Sequence, residues 1–415
     1  MSARDLSGKE RVSLSLIHEE PDRVPYCELW VSNNIISSVL GRTARAGVGS
    51  GTPHYDAIRA AARGEAELQS LTRAAMSDHL TFCQTVGIDV AMIRLHHFAP
   101  GVYSKAYLGP NGLYDSLIIE ETGDRNFLLQ HPSGFWSRLT YEQGMGSIME
   151  TDDAISHGGI EELRRYVDYL ESRPLDLPPS FRIVLDCMRE AVTSDAGRSL
   201  FVLGTADVCF PMFLHFIPVF LEAMAVEPEL VDRYMRTSTD GVLALLREQL
   251  ALGVDGIIGT NDIAFKSGLM FSVGHFRRFI APYLREIVEE CHRSGVPYIK
   301  HLDGDINAIV PILVDEICVD ALHALEPSAK MDIVALKKSY GDRVSLWGNL
   351  DCGQLLTWGT TDEITAEVRR IIKEIAPGGG FGFSSSNAIH VGVPEENFRS
   401  VLRAVKEYGK YPIAL

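Results

Sequence analysis

Short apolar runs rich in β-branched and aromatic residues punctuate the chain, and most are followed by stretches whose apolar residues return at helical spacing. The runs are Val24–Leu29, Asp89–Arg94, Leu200–Thr205, Gly256–Thr260, Tyr298–His301, Ala321–Leu325, Val344–Asn349 and Phe381–Ser385. Strand candidates that alternate with helices predict an α/β protein with a parallel sheet, and this number of them predicts a (β/α)8 TIM barrel.

The helix candidates carry their own start and stop signals. Pro228 suits a first helical residue, and Val231, Tyr234, Met235, Val242, Leu245 and Gln249 follow at helical spacing, interrupted at Thr237–Gly241. Thr360 and Glu363 form a capping-box signature ahead of the stripe Ile364, Val368, Ile371, Ile372 and Ile375, which Pro377 and Gly378 end. Pro394 opens the last helix, whose core face is Phe398, Val401, Leu402, Val405 and Tyr408.

More chain separates the second and third strand candidates than one loop uses. Within it, Leu117–Glu121, Asn126–Gln130 and Trp136–Thr140 read as short antiparallel strands, and Ile160–Glu171 and Pro179–Ala196 as helices. The expectation is one barrel domain over residues 1–415 with a β-rich and helical insertion at 98–198, placed over the barrel mouth as a lid.

Composition acts mainly by exclusion. A formal net charge of −16 argues against nucleic acid as a partner. The seven cysteines, Cys27, Cys83, Cys187, Cys209, Cys291, Cys318 and Cys352, are odd in number and form no Cys-x-x-Cys, so reduced thiols in a cytoplasmic protein are expected. Met1–Glu20 lacks the apolar core of a signal peptide. Asp207–Val226 is apolar, but Asp207, His215, Glu222, Pro211 and Pro218 make a membrane span costly, and a buried segment beside the active site is the better reading.

Active sites of such barrels lie at the C-terminal ends of the strands. The sequence places Arg94, His96 and His97 after the second strand, Asp207 after the third, and Asn261 and Asp262 after the fourth. His301-Leu302-Asp303-Gly304-Asp305 ends the fifth, Glu326-Pro327 the sixth, Asn349-Leu350-Asp351 the seventh, and Ser384–Asn387 the eighth. His301 and Asp303, two apart at a strand end, face the same way; the pair suits metal binding or proton transfer, or a structural hydrogen bond. Glu326 suits a ligand, an acid or base, or a helix-cap carboxylate, and Asp262 reads similarly. His323, inside its strand, reads as a packed core histidine, and Asp305 as a cap of the following helix. Only one of His96 and His97 can enter the pocket if the chain is extended there. Phe210, Phe213 and Phe216 suit either an aromatic-substrate wall or core packing. Gly378-Gly379-Gly380 precedes the eighth strand, so it reads as a helix-to-strand turn at the opposite face, not a phosphate loop.

The C-terminal half carries a series of motifs: His301-Leu302-Asp303-Gly304-Asp305, Ala321-Leu322-His323-Ala324-Leu325-Glu326-Pro327, Met331-Asp332 with Leu336-Lys337, Tyr340-Gly341-Asp342-Arg343, Trp347-Gly348-Asn349-Leu350-Asp351, Gly359-Thr360, Pro377-Gly378-Gly379-Gly380 and Val393-Pro394-Glu395-Glu396-Asn397. Pro21-Asp22-Arg23-Val24-Pro25 joins them near the N-terminus. Together they resemble the uroporphyrinogen-decarboxylase superfamily over residues 225–412, with little likeness between 95 and 200. The arginine-rich segment and Ala-Gly-Arg-Tyr motif with which its decarboxylases bind tetrapyrrole acids have no counterpart; after Tyr26 the chain reads Cys27-Glu28-Leu29-Trp30-Val31-Ser32. Its zinc–thiol methyltransferases use His-x-Cys after the fifth strand and a later Cys near the last. Here His301-Leu302-Asp303 and Ser384–Asn387 stand at those places, so two soft ligands are missing.

What remains resembles the corrinoid-linked subgroup with a His-x-Asp-Gly motif. The resemblance implies transfer of a methyl group from a methoxy-aromatic or N-methyl donor to cob(I)alamin, a cobalamin held by a separate corrinoid carrier protein. His301, Asp303, Asp262 and Glu326 would be its catalytic groups, with Arg94, His96, Asp207, Phe210, Asn261, Asn349 and Asn387 around the substrate. It leaves room for a zinc ion on His301 with Glu326 or Asp303, and implies a homodimer with no membrane partner. The alternative is a decarboxylase or other lyase, with Arg94 holding a substrate carboxylate. A non-catalytic barrel is disfavoured because carboxylates gathered at a mouth cost stability without use.

Overall fold

The computed structural model describes residues 5–47, 60, 63–93, 117–122, 126–130, 134–142, 147–172, 179–212 and 214–413. Its strands are β1 (Val90–Met92), β2 (Leu117–Thr122), β3 (Asn126–Gln130), β4 (Trp136–Glu142), β5 (Ser147–Asp153), β6 (Phe201–Thr205), β7 (Gly256–Gly259), β8 (Ala264–Phe265), β9 (Gly268–Leu269), β10 (Tyr298–Leu302), β11 (Ala321–Ala324), β12 (Ser345–Leu350) and β13 (Phe381–Ser385). Seven of them form one parallel sheet in the order β1-β6-β7-β10-β11-β12-β13, with helices between most neighbours. The order follows the chain, as in a barrel wound in one direction.

The first strand candidate is present as irregular extended chain that joins the two edges of this sheet. Tyr26 and Val31 bridge in parallel to Phe383 and Ile389 beside β13, and on the β1 side the Asp89 amide donates to the Tyr26 carbonyl at 2.9 Å. Pro25 has no N–H to give, but its carbonyl accepts from the Phe383 amide at 2.9 Å. Asp89 does part of the ladder's work: its buried carboxylate accepts from the Tyr26 amide at 2.8 Å, Arg11 at 2.6 Å and Arg23 at 2.7 Å. The Pro21–Pro25 motif is thus a clasp at the N-terminal face.

Side chains alternate across the sheet. Cys27, Leu29, Trp30, Val90, Met92, Phe201, Leu203, Ile258, Ile299, Ala321 and Trp347 pack together as the inner cluster, and the other face carries the larger core against the helices. Between β1 and β6 the chain forms a separate antiparallel sheet, β2-β3-β4-β5. Its strand β5 carries no sequence signal because it is largely polar. Asp153 at its end accepts from the amides of Ile155 and Ser156, which starts the helix Ala154–Glu171 earlier than the apolar stripe alone suggests; Gly159 kinks it. That helix joins the outer layer, with Arg164 on Glu227 at 2.5 Å and Asp168 on Arg233 at 2.6 Å.

The helix Pro228–Ala251 runs unbroken through 237–241, because the buried Ser238 and Thr239 hydroxyls donate to Tyr234 and Met235 carbonyls of the preceding turn. After Asp207 the chain is a buried loop followed by the helix Ile217–Val226. Among the described residues no helix is long and apolar enough to cross a membrane. All seven cysteines are free thiols.

Candidate active site

The site is set by strand parity on β10. Ile299 points into the inner cluster, so His301 and Asp303 follow on that face, while Tyr298 and Lys300 take the other. His301 is buried, with the Trp30 ring edge-on at 4.7 Å and the His323 ring at 4.9 Å between centroids. Its Nδ1 lies 2.7 Å from His323 Nδ1. Its Nε2 lies 3.8 Å from Asp262 Oδ1 and 3.7 Å from Asp303 Oδ1, beyond hydrogen-bonding distance.

Asp262 is drawn in because its Oδ1 accepts from the Asp303 amide at 2.9 Å, tying the end of β7 to the end of β10. Asn387, past β13, donates its side-chain amide to Asp303 Oδ2. The other oxygen, Oδ1, is buried and has no hydrogen-bond partner among the described residues. Burial, then the Asp262 and Glu326 carboxylates, push Asp303 up to about 8, with Lys266 opposing. One ligand atom from each of Asp262, His301 and Asp303 lies within 4.8 Å of the others.

Glu326 stands at the rim instead. It takes Lys266 Nζ at 3.1 Å and the Ser328 hydroxyl, and its side chain caps no helix. Of the two partners expected for His301, Asp303 is the one that converges with it among the described residues, joined by Asp262.

Asp207 and Asn261 are committed to a structural junction on the opposite face. Asp207 Oδ2 accepts from Lys300 Nζ at 2.5 Å and the Asn261 amide at 2.7 Å, and Oδ1 from the Val208 amide at 2.8 Å. Asn261 donates its side-chain amide to the Val208 and Phe210 carbonyls at 2.9 and 2.7 Å. Phe210 is core, its ring against Phe220 at 5.7 Å and Phe271 at 5.1 Å, and Phe216 is fully buried. Asn349 shares the inner face with Trp347 and donates to the Leu325 carbonyl at 3.1 Å; its buried Oδ1 has no partner among the described residues. Arg94, His96, His97 and Phe213 lie outside the described residues.

His323 is packed in the core as expected, where it is the direct cross-strand neighbour of His301 in the β10–β11 register, and burial lowers its pKa to about 3. Two residues escape the sequence reading. Trp30 carries no motif that would mark it. Lys300 does carry a signal, a lysine in the middle of an apolar strand run, which requires a buried anion to pair with. The Ser384–Ser386 hydroxyls serve their own surroundings, Ser385 on Glu28 at 2.8 Å and Ser386 on Cys352 Sγ at 3.5 Å. Burial raises the Cys352 thiol, so it is no ready thiolate.

The family model described as uroporphyrinogen decarboxylase matches residues 159–408. The uroporphyrinogen decarboxylase of Psychromonas ingrahamii is 28% identical over 188 residues, covering 44% of this chain and 49% of its own. That of Alkalilimnicola ehrlichii is 25% identical over 188 residues, with 44% and 48% covered. The chain spans about half the length of the curated relatives it matches. A solved methyltransferase from Methanosarcina mazei superposes over 97% of this chain and 99% of its own, with a TM-score of 0.64 at 15% identity, which shows a shared fold.

Proposed function

The chain belongs to the uroporphyrinogen decarboxylase family, and on that ground we propose that it is a methyltransferase. It takes a methyl group from a methoxy-aromatic or N-methyl donor and passes it to cob(I)alamin on a corrinoid protein. The observation that carries this reading is the convergence of His301, Asp262 and Asp303 on one buried spot.

Moving a methyl group to nucleophilic cobalt breaks a C–O or C–N bond and leaves its electron pair on oxygen or nitrogen. That atom departs readily only when protonated or bound to a Lewis acid. Asp303, held up near 8 by burial and neighbouring charge, keeps a proton at neutral pH and can deliver it to the leaving atom. Asn387 orients its carboxyl group, and Asp262 fixes the backbone that carries it. Trp30 and His323 hold the His301 ring.

The residues also fit a divalent cation such as zinc. The orphaned, buried Asp303 Oδ1 and the nitrogen–oxygen–oxygen donor set support that fit. His301, Asp262 and Asp303 would hold the ion, and it would supply Lewis-acid polarisation of the leaving atom. The same proposal has residues 98–198 act as a lid, and the protein work in the cytoplasm as a homodimer. The free thiols are compatible with that compartment.

The decarboxylase reading draws on the names of the sequence relatives. It needs cations to hold substrate carboxylates. Among the described residues the cation that bears on Asp303 is Lys266, already paired with Glu326. The deciding experiment mixes the protein with cob(I)alamin and a panel of methoxy-aromatic and N-methyl compounds, following the corrinoid spectrum. Methylcobalamin formed from one donor class establishes the reaction. No conversion, even with a corrinoid protein and added zinc, overturns it in favour of the decarboxylase.

A further inference from the structure

We infer that Gly304 is a positioning residue: the space its side chain would take is filled by the β8–β9 hairpin, and that close seat fixes Asp262 against Asp303. This rests on the proposed reading of Asp262 and Asp303 as partners in one site.

After β7 the chain passes Asp262 and folds at once into the hairpin. Ala264 pairs with Leu269 and Phe265 with Gly268, and the Met270 amide donates to the Ile263 carbonyl at 3.0 Å. Ile263 and Ala264 are buried in the core, so the base of the hairpin is anchored. The turn after β10 meets this base at two points. The Asp303 amide donates to Asp262 Oδ1 at 2.9 Å, and the Asp305 amide to the Phe265 carbonyl at 2.9 Å. Gly304 lies between them. Farther out, Lys266 reaches Glu326 at 3.1 Å, so one hairpin joins the ends of β7, β10 and β11.

This junction asks two things of Gly304. Its φ is +84°, a left-handed backbone that residues with a Cβ adopt only at a cost. A methyl group on its Cα would also lie 2.6 Å from the Phe265 carbonyl oxygen, 2.8 Å from the carbonyl carbon and 2.9 Å from that of Ala264. Those distances are well inside van der Waals contact. All three atoms are backbone, so no side chain can swing aside, and relief requires the hairpin to lift from the turn. Lifting it stretches the bond from Asp305 to Phe265 and draws Asp262, close by on the same chain, away from the Asp303 amide. One ligand atom from each of Asp262, His301 and Asp303 lies within 4.8 Å of the others, and two carboxyl groups so near repel whenever both ionise. Slack in the seat is therefore slack in the site. A misplacement of about 1 Å in a reacting group costs roughly 100-fold in rate.

The test sets Gly304→Ala against Gly295→Ala. Gly295 has a φ of +69° in the turn before β10, at the opposite end of the barrel, and a methyl group there meets nothing within 4 Å. It reproduces the backbone strain without the contact. Hydrogen–deuterium exchange of the proteins as purified, read by mass spectrometry, depends on no assumption about the reaction. Gly304→Ala should speed exchange in 262–270 and 302–306 together, and Gly295→Ala should leave both segments as in wild type. Methyl transfer to cob(I)alamin should fall roughly 100-fold in kcat for Gly304→Ala and stay near wild type for Gly295→Ala. Gly304→Asn tolerates the left-handed backbone better but carries the same Cβ, so it should lose as much as the alanine variant.

A folded Gly304→Ala protein that keeps either its protection or its turnover overturns the inference. So does a loss confined to KM, or an Asn variant that recovers turnover. If the alanine variant fails to fold, Lys266→Met takes its place: freeing the hairpin tip from Glu326 should raise exchange at 302–306 in step with 264–269, and unchanged exchange at 302–306 overturns the inference. Wild-type protein that methylates no cobalamin, while exchange behaves as expected, supports the seat and overturns the proposed function instead.

Discussion

The claim that Asp207 belongs to the scaffold is open to a direct test through Lys300. Both side chains are buried, 2.5 Å apart, with Lys300 on the strand face opposite His301. Lys300→Met removes the cation and leaves a carboxylate facing the core. Breaking a buried pair in this way costs about 3–5 kcal/mol. Asp207 retains two backbone donors, the amides of Val208 and Asn261, so about 3 kcal/mol is the expected loss. Adding Asp207→Asn removes the stranded charge but keeps only one acceptor oxygen for the two backbone amides. The double variant should therefore recover part of the loss, with a coupling energy of about 2 kcal/mol. Urea unfolding of the four proteins measures both quantities. A Lys300→Met protein less than about 1 kcal/mol destabilised, yet unable to turn over, would refute the reasoning and return Asp207 to the site.

His301→Ala should abolish methyl transfer while leaving the melting temperature near wild type; near-normal turnover would remove His301 from the centre of the mechanism. Cys352→Ser should leave activity largely unchanged, and a loss would show the thiol to be a ligand. Glu28, fully buried on Ser385, is raised by burial to about 7, so its protonated form is the one the fold prefers. Its contribution to stability is full below about pH 4.5 and falls away as pH rises to about 7. Glu28→Gln should thus stabilise by up to about 3 kcal/mol above that range and change little at acid pH, read from urea unfolding against pH. Because zinc must displace the Asp303 proton, zinc affinity should climb with pH and level off above about 8. Calorimetry in buffers of different ionisation enthalpy counts that proton, and an affinity flat across this range would show that Asp303 is no ligand.

Most of the parallel sheet was legible because its strands are buried on both faces and read as unbroken apolar runs between helices. Phe381–Ser385 is recovered to the residue, and the others within a residue or two. The closing segment was legible as apolar but not as irregular, since its pairing toward β1 runs partly through the Asp89 side chain, which accepts from the Tyr26 amide. The strand β5 was invisible because Glu150, Thr151, Asp152 and Asp153 break any alternation of apolar and polar positions. At the site, His301 and Asp303 could be paired from spacing alone. Asp207 and Asp262 look alike in sequence, each a carboxylate just past a strand. What separates them is the face each meets on β10, Lys300 for one and His301 for the other, and that depends on register between strands far apart in the chain. His323 was legible as a buried core histidine, but its place opposite His301 depends on the same register.

The electrostatics of the cluster favour one class of chemistry over its rival. Asp303 is buried beside Asp262 with Glu326 nearby, and its preference for a proton shows that this space resists further negative charge. A substrate carboxylate brought here would meet that same resistance. A proton or a divalent cation would relieve it, and each is what a departing phenolate or amine needs to leave a methyl group behind. Among the described residues, then, the charges around Asp303 suit a leaving group that must gain positive charge better than an acid, and Lys266 is paired with Glu326.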